Sequence, residues 1–195
     1  MRKTYFVIAA AAAAILTIVS CTGTEEKTMA DTSTKTVDTD SLVKRGNYLV
    51  TVGGCDDCHS PKNMGPRGPE IDMANRFSGY PADRPIPKFD SNVVKQGMAI
   101  MNGDLTAAAG PWGVSFAANI SSDSTGIGSW SEAQFFKALR EGKFKGLDQS
   151  RPLLPPMPWQ NLKQLTDEDV RAIFAYLKTT KPVKNVVPAA RLGHL

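Results

Sequence analysis

The sequence predicts an all-α fold in which three helices are joined by long irregular loops. Three segments repeat apolar residues at helical spacing and carry residues that begin and end helices. No segment alternates apolar and polar residues over a sustained length, so strands should be few. Residues 61–128 are rich in Pro, Gly, Asn and Ser, and they offer one short helix at about 92–101.

Each predicted helix has recognisable ends. The first covers about residues 42–52, begins after an Asp or Ser cap and ends at a Gly-Gly pair. The second covers about 130–141 and begins with a capping box that starts at Ser129. The third covers about 167–179, where Thr166 is the cap and acidic residues in the first turn suit the helix dipole.

The first 20 residues have the pattern of an export signal. Arg2 and Lys3 precede an apolar run over 6–19 that is short for a membrane span. Cys21 ends the sequence Ile-Val-Ser-Cys, which resembles the bacterial lipobox, whose cysteine becomes lipidated. We therefore predict a lipoprotein signal peptide over 1–20, export to the periplasm or cell surface, and a firm lipid anchor in a membrane. A cleaved signal with an incidental cysteine and an uncleaved anchor are the alternatives.

The remaining chain divides into three parts. Residues 21–40 are almost entirely polar and predict a flexible tether that starts at the lipidated cysteine. The folded domain is expected over 41–181, and residues 182–195 are expected to form a C-terminal tail that packs loosely or not at all.

The charge balance gives no support to nucleic-acid binding. The chain has 195 residues, 23 of them basic and 19 acidic, for a net charge of +4. Loss of Arg2 and Lys3 with the signal peptide leaves 21 basic residues against 19 acidic ones, a net charge of +2. No cluster of basic residues strengthens so small an excess.

Cys55, Cys58 and His59 form a C-x-x-C-H motif, which is typical of covalent haem attachment. Two thiols three positions apart on a helical turn reach the two vinyl groups of one porphyrin and form thioethers. The imidazole of His59 then faces the iron from the same side. The motif occurs once, so we predict one covalently attached haem c. Wrapping around such a large apolar group would explain the long loops.

Two other uses of the cysteine pair are less well supported. A zinc site needs four ligands, and the chain offers only His59 and His194 beside the pair. In a redox dithiol, positive charge or a helix N-terminus usually stabilises the reactive thiolate. Asp56 and Asp57 lie between the cysteines and oppose a thiolate there.

Met157 is the predicted second axial ligand of the iron. It lies within Leu-Pro-Pro-Met-Pro-Trp at 154–159, where prolines on both sides keep the backbone extended and stiff. His194 is the penultimate residue and is expected to be an exposed side chain of the tail. Core packing is the alternative role for any methionine. Three further methionines can reach the iron in principle: Met73, Met98 and Met101.

Several other residues are candidates for contacts with the haem or its ligands. Three tryptophans either border the haem or pack in the core: Trp112, Trp130 and Trp159. Three arginines are candidates for pairing with the haem propionates: Arg76, Arg84 and Arg140. A backbone carbonyl usually orients the ligand histidine through its second ring nitrogen. Three carbonyls are candidates for this role: Pro66, Pro69 and Pro111.

The order of these features resembles the class I c-type cytochromes, which place C-x-x-C-H early, a Met in a Pro-rich loop later and an amphipathic helix last. The resemblance implies a class I cytochrome c fold, whose N- and C-terminal helices cross where a glycine lets an aromatic residue approach. Gly46 on the first helix and Tyr176 on the last are placed for that contact.

The sequence also resembles the mono-haem domains of cytochrome subunits of membrane-associated dehydrogenases such as alcohol dehydrogenase. Two features differ: Ser121-Ser122 stands where these subunits commonly read Thr-Pro, and this chain has one haem site where they often have three. The matching stretches follow the family order: Arg45-Gly46-x-Tyr48-Leu49-Val50, Gly53-Gly54-Cys55, Cys58-His59-x-Pro61-Lys62, Ser78-Gly79-x-Pro81, Asn119-Ile120, Thr125-Gly126-Ile127-Gly128-x-Trp130, Met157-Pro158 and Leu165-Thr166-Asp167-Glu168-Asp169.

The predicted function is one-electron transfer and not catalysis on a substrate. With His59 and Met157 both bound, the iron has no open position, and the thioether favours Fe(II). The expected donor is a dehydrogenase, as the resemblance implies, or a quinol-oxidising complex, and the expected acceptor is an oxidase or another cytochrome. The alternatives are a haem-based sensor or haem enzyme subunit with a labile sixth ligand, and an assembly subunit that anchors other proteins.

Overall fold

The structure is a computed structural model that describes residues 38–193. The predicted signal peptide, Cys21, nearly all of the predicted tether and His194 lie outside the described residues. Within them, no helix has the length and apolar character needed to cross a membrane. The helices are Thr39–Val52 (α1), Cys55–His59 (α2), Ser91–Lys95 (α3), Glu132–Arg140 (α4), Trp159–Leu162 (α5) and Asp167–Thr179 (α6). The strands are Lys62–Gly65 (β1), Gly68–Ile71 (β2), Ile100–Met101 (β3), Ala107–Gly110 (β4), Gly113–Phe116 (β5) and Arg191–Leu192 (β6).

The prediction of an all-α class I cytochrome c fold is wrong, because six short strands form two antiparallel sheets. β1 and β2 form a hairpin, and the other strands form a four-stranded sheet in the order β3-β4-β5-β6. Each strand is only two to four residues long, too short for an alternating pattern to stand out. β4 also lacks alternation because all four of its residues are buried.

The three long helices lie close to where the sequence predicts them. α6 has the predicted bounds, and the Thr166 side chain accepts a hydrogen bond from the Asp169 amide at 3.2 Å. α1 begins three residues early because Asp38 provides the cap. The capping box predicted at Ser129 is wrong, since Ser131 caps α4 by accepting from the Gln134 amide at 3.1 Å. Of the helix predicted over 92–101, only the first turn forms, as α3.

α1 and α6 pack directly against each other, and Gly46 lies at their closest approach. A Cβ at this position would lie 1.9 Å from the Ala172 carbonyl oxygen and 2.7 Å from Cβ of Tyr176. The contact implied by the resemblance is therefore present, although the fold around it contains sheets. At one edge of the contact, Arg45 forms an ion pair with Asp169 at 2.9 Å.

We expect Gly46→Ala to lower the free energy of unfolding by about 2 kcal/mol, because overpacking against backbone forces the helices apart. The gain in helix propensity of about 1 kcal/mol offsets only part of this cost. Urea titrations of the purified protein measure the change. Gly103→Ala is the control, since a Cβ there would have no atom within 4 Å. Equal stability of both variants would contradict the close approach.

The segment after α6 packs on the domain. The Asn185 side-chain amide donates to the Ser78 carbonyl at 2.7 Å and to the Tyr80 carbonyl at 2.9 Å. Further along, β6 joins the edge of the four-stranded sheet by pairing with β5. The part of the predicted tail that the structure describes is therefore held by side-chain and strand hydrogen bonds.

Candidate haem-binding site

The C-x-x-C-H motif forms the short helix α2, which brings both thiols to one side. Gly54 precedes the helix with a φ of 65°, a left-handed conformation that glycine adopts without strain. Cys55 and Cys58 are free and half-buried. Because residues three apart share a helix face, both sulfur atoms face the same neighbourhood.

His59, the last residue of α2, has one ring nitrogen fixed by the backbone. Its Nδ1 lies 2.7 Å from the carbonyl oxygen of Ala118, two residues after β5. A carbonyl only accepts, so Nδ1 carries the proton and Nε2 keeps a free lone pair, as a metal-ligating imidazole requires. Desolvation lowers the pKa of His59, although the Ala118 carbonyl opposes this shift, so the ring is neutral near pH 7. The predicted partners Pro66, Pro69 and Pro111 do not fill this role.

The thiols themselves argue against a redox dithiol. Burial raises the pKa of Cys55 to about 11, and the neighbouring Asp56 adds to the rise. Burial and Asp57 also raise the pKa of Cys58, while Lys62 opposes the shift. At neutral pH both thiols are protonated, which makes them poor nucleophiles for disulfide exchange.

Asp56 ties the motif to the rest of the domain. Its carboxylate forms an ion pair with Arg76 at 2.7 Å and accepts from the Ser60 hydroxyl at 2.6 Å. Burial alone would raise the pKa of Asp56, but the hydrogen bonds from Arg76 and Ser60 outweigh it and lower the pKa. Arg76 also donates to the Tyr176 hydroxyl at 3.2 Å, which links α2 to α6.

The arginines considered for the propionates therefore have protein partners. Arg84 pairs with Asp104 at 2.5 Å, and Arg140 pairs with Asp167 at 2.7 Å. Neither Asp104 nor Asp167 belongs to the motif. In this structure the three arginines hold loops and helices in place.

Lys62 caps the C-terminal end of α2 from the start of β1. Its ammonium donates to the carbonyl oxygens of Asp57 at 2.7 Å and Ser60 at 3.0 Å. It also donates to the Asp104 carbonyl at 3.0 Å and lies 3.3 Å from that of Asp56. The sequence does not reveal this role of Lys62, because one of its partners, Asp104, is 42 positions away.

Met157 lies in the same apolar cluster as Cys55. The cluster is built around buried side chains from α1, α4 and α6, and partly buried residues pack on it, Cys55, Trp130 and Met157 among them. Three other methionines are turned toward solvent: Met64 is 81% exposed, Met73 64% and Met98 46%. Met101 is partly buried on β3 but does not belong to this cluster. Among the methionines named from the sequence, Met157 is therefore the one that packs on the same cluster as Cys55.

The loop that carries Met157 is held by the four-stranded sheet. The Ser115 hydroxyl, on β5, donates to the Pro155 carbonyl at 2.7 Å and accepts from Trp112 Nε1 at 3.2 Å. β5 thus supports the Met157 loop, and the chain directly after it holds His59 through Ala118. Both predicted iron ligands depend on this one strand, which the sequence does not predict.

The tryptophans have different surroundings. Trp130 packs on the cluster that contains Cys55 and Met157. Trp159 packs against Gly142, where a Cβ would lie 2.5 Å from the indole ring. Trp112 donates a hydrogen bond from Nε1 to the Ser115 hydroxyl. Of the three, Trp130 is thus the tryptophan that packs on the same cluster as Cys55 of the motif.

The donor set fits a covalently bound haem. Two free thiols share a helix face, a neutral imidazole keeps one nitrogen for a metal, and a partly buried thioether packs on the same apolar cluster as the first thiol. Soft sulfur and imidazole together are the ligands of electron-transfer haems. Within residues 38–193, no group of three or more His, Cys, Asp and Glu side chains is arranged to hold a metal ion.

Comparison with known proteins identifies the relatives of the chain, although no protein-family model matches it. It is 32% identical over 138 residues to the gluconate 2-dehydrogenase cytochrome c subunit of Pantoea cypripedii, covering 70% of this chain and 23% of that one. It is 29% identical over 153 residues to the fructose dehydrogenase cytochrome subunit of Gluconobacter japonicus, covering 77% and 24%. It is 27% identical over 146 residues to the alcohol dehydrogenase (quinone) cytochrome c subunit of Gluconobacter oxydans, covering 74% and 23%.

The match covers most of this chain and a minor part of each relative. The chain spans about a quarter of the length of the curated relatives it matches. This chain is therefore a homologue, at modest identity, of the cytochrome c subunits of gluconate, fructose and alcohol dehydrogenases.

Proposed function

We propose that this chain is a mono-haem c-type cytochrome that carries one electron at a time in an exported, membrane-anchored chain, and that it is not itself an enzyme. The observation that carries the proposal is the His59–Ala118 hydrogen bond of 2.7 Å, which leaves Nε2 free beside two thiols on one helix. The homology to cytochrome c subunits supports haem binding and electron transfer.

The chain's own residues fill distinct roles in this proposal. Cys55 and Cys58 would attach the haem c through thioethers, and His59 and Met157 would be the axial ligands. When bound, the haem supplies a centre that gains and loses one electron without breaking bonds. The protein holds both ligands against a braced sheet, which keeps the site alike in the two oxidation states. It also surrounds the site with apolar side chains that exclude water.

The homologous cytochrome subunits suggest a dehydrogenase as the partner of this chain. They are subunits of gluconate, fructose and alcohol dehydrogenases. We propose that this chain accepts electrons from a dehydrogenase and passes them to an oxidase or another cytochrome. Anchoring through a lipid on Cys21 would keep it at the membrane where such partners work. Cys21→Ala should move the protein from the membrane fraction to the soluble fraction after export, with its haem retained.

A spectroscopic experiment tests the central claim. The chain, expressed with a cytochrome c maturation system, should give a pyridine spectrum of haem attached by two thioethers. The reduced protein should not bind carbon monoxide readily, because His59 and Met157 would both hold the iron and leave no open position. A colourless protein would overturn the proposal. Covalent haem with a high-spin spectrum would favour the sensor or haem enzyme alternative. Cys55→Ala, Cys58→Ala is the matched control for covalent attachment.

Ser115→Ala should loosen the loop that carries Met157 without unfolding the protein. Loss of the hydrogen bond to Pro155 should destabilise the ligand-bound position of the loop by about 1 kcal/mol. Imidazole, which competes with Met157 for the iron, should therefore bind about fivefold more tightly. Titration of the oxidised protein with imidazole measures it. Ser150→Ala is the control, because that hydroxyl donates to the Leu147 carbonyl at 2.8 Å in another loop. Equal affinities in wild type and Ser115→Ala would contradict the bracing.

A further inference from the structure

The ammonium of Lys62 is bound by neutral carbonyl oxygens. Its shortest hydrogen bonds go to Asp57, at 2.7 Å, and to Ser60 and Asp104, both at 3.0 Å. Three donors of one ammonium group are thus used by three main-chain oxygens, and the side chain is half-buried. This is a fixed position and not that of a lysine moving in solvent.

The charge of Lys62 has no carboxylate partner in the part of the chain that the structure describes. The two carboxylates near its binding site have other cations, since Asp56 pairs with Arg76 at 2.7 Å and Asp104 with Arg84 at 2.5 Å. The ion pairs found within residues 38–193 do not include Lys62. The carboxylate of Asp57 also lies in the motif, but it belongs to an exposed residue where solvent screens its charge, whereas the ammonium of Lys62 is half-buried and held in place.

This charge lies against the turn that carries the proposed iron ligand. The carbonyls that Lys62 binds belong to Asp57 and Ser60, which enclose Cys58 and His59 in the chain. Electrostatic interactions of a partly buried group are screened by salt much less than those of a surface group. A nearby cation disfavours the iron state with the higher positive charge.

We propose that Lys62 is a positioning residue that tunes the site: it fixes the His59 turn and, through its half-buried charge, shifts the iron toward the reduced state. The inference rests on the proposed function, because it needs a haem ligated by His59. It goes beyond that function by assigning the control of reduction potential to a residue that touches neither the iron nor the proposed attachment bonds.

The test uses the full-length holoprotein and its midpoint potential. Lys62→Gln keeps N–H donors for the carbonyls but removes the charge, whereas Lys62→Arg keeps the charge. We expect Lys62→Gln to lower the midpoint potential, raising the Fe(III)/Fe(II) ratio at a fixed ambient potential about tenfold, as for a unit charge acting over ~10 Å at an effective dielectric of ~20. Lys62→Arg should leave it near wild type. Lys95→Met, an exposed lysine in the last turn of α3, is the control for net charge.

The salt dependence separates this role from simple capping. The shift in Lys62→Gln should persist at 0.5 M salt, whereas any shift in Lys95→Met should vanish there. An unchanged potential in Lys62→Gln with reduced thermal stability would overturn the proposal and leave Lys62 as a helix cap. Loss of holoprotein in both Lys62→Gln and Lys62→Met would overturn it too, by showing a requirement for folding alone. A wild type without reversible reduction would refute the proposed function, a different failure.

Discussion

Met157→Ala should leave the haem covalently attached, lower its midpoint potential and open one axial position. The thioether stabilises Fe(II), so its loss should lower the potential by on the order of 0.2 V, within the roughly 0.8 V that axial ligands span. The proposed attachment through Cys55 and Cys58 should be unaffected, because thioether bonds to the porphyrin do not involve Met157. Redox titration measures the potential, and carbon monoxide binding to the reduced protein reports the open position.

Met98→Ala is the matched control, because Met98 is 46% exposed and lies between α3 and β3. It should match the wild type in both measurements. The outcome that would contradict our assignment is an unchanged spectrum and potential in Met157→Ala. In that case Met98→Ala or Met101→Ala should show the loss instead, and the bracing of the Pro-rich loop by Ser115 would need another purpose.

The features predicted well from the sequence are those with local causes. α6 begins and ends as predicted because the Thr166 cap directly precedes the helix, and the acidic residues of its first turn and its apolar stripe lie within it. The C-x-x-C-H motif that forms α2 is likewise recognisable from neighbouring residues alone. Its short length also means that its internal hydrogen bonds contribute little, and that contacts with residues far along the chain must fix its position.

The features that the sequence missed depend on contacts between distant residues. The partner of His59 is Ala118, 59 positions away, and it is in place because β4 and β5 form a hairpin in the four-stranded sheet. That hairpin is made of Ala, Gly, Val, Ser and Phe in strands of four residues, with most positions buried. Neither periodicity nor turn composition distinguishes such strands from a loop.

The roles of Lys62 and Ser115 could not be predicted from the sequence for the same reason. A lysine in a loop and a serine in a short strand have ordinary sequence contexts, and their partners, Asp104 and Pro155, are 42 and 40 positions away. The prediction of an all-α fold failed at the same place. Five short strands lie within the loop-rich stretch at 61–128, so hydrogen bonds of the protein itself, and not a haem alone, order part of it.

His59→Ala should prevent accumulation of stable holoprotein and cause the largest loss of structure of any single change considered. The imidazole is the proposed nitrogen ligand and also carries the contact to Ala118, which joins α2 to the sheet. Without it, partly buried apolar groups such as Cys55 and Met157 lose the haem that we propose they pack against. The described residues hold no disulfide to compensate, since both of their cysteines are free. Far-UV circular dichroism and a haem stain of denatured protein measure the two losses.

A rescue experiment separates the ligand role of His59 from its packing role. His59→Gly matured with added imidazole should regain a low-spin spectrum, because the free ring can bind iron where the side chain stood. His194→Ala should behave as wild type, as expected for a histidine that does not ligate iron. A His59→Ala protein that kept the wild-type spectrum and unfolding midpoint would place the nitrogen ligand elsewhere. The Ala118 hydrogen bond would then stabilise the α2–sheet contact only, and the haem site would need to be rebuilt from other residues.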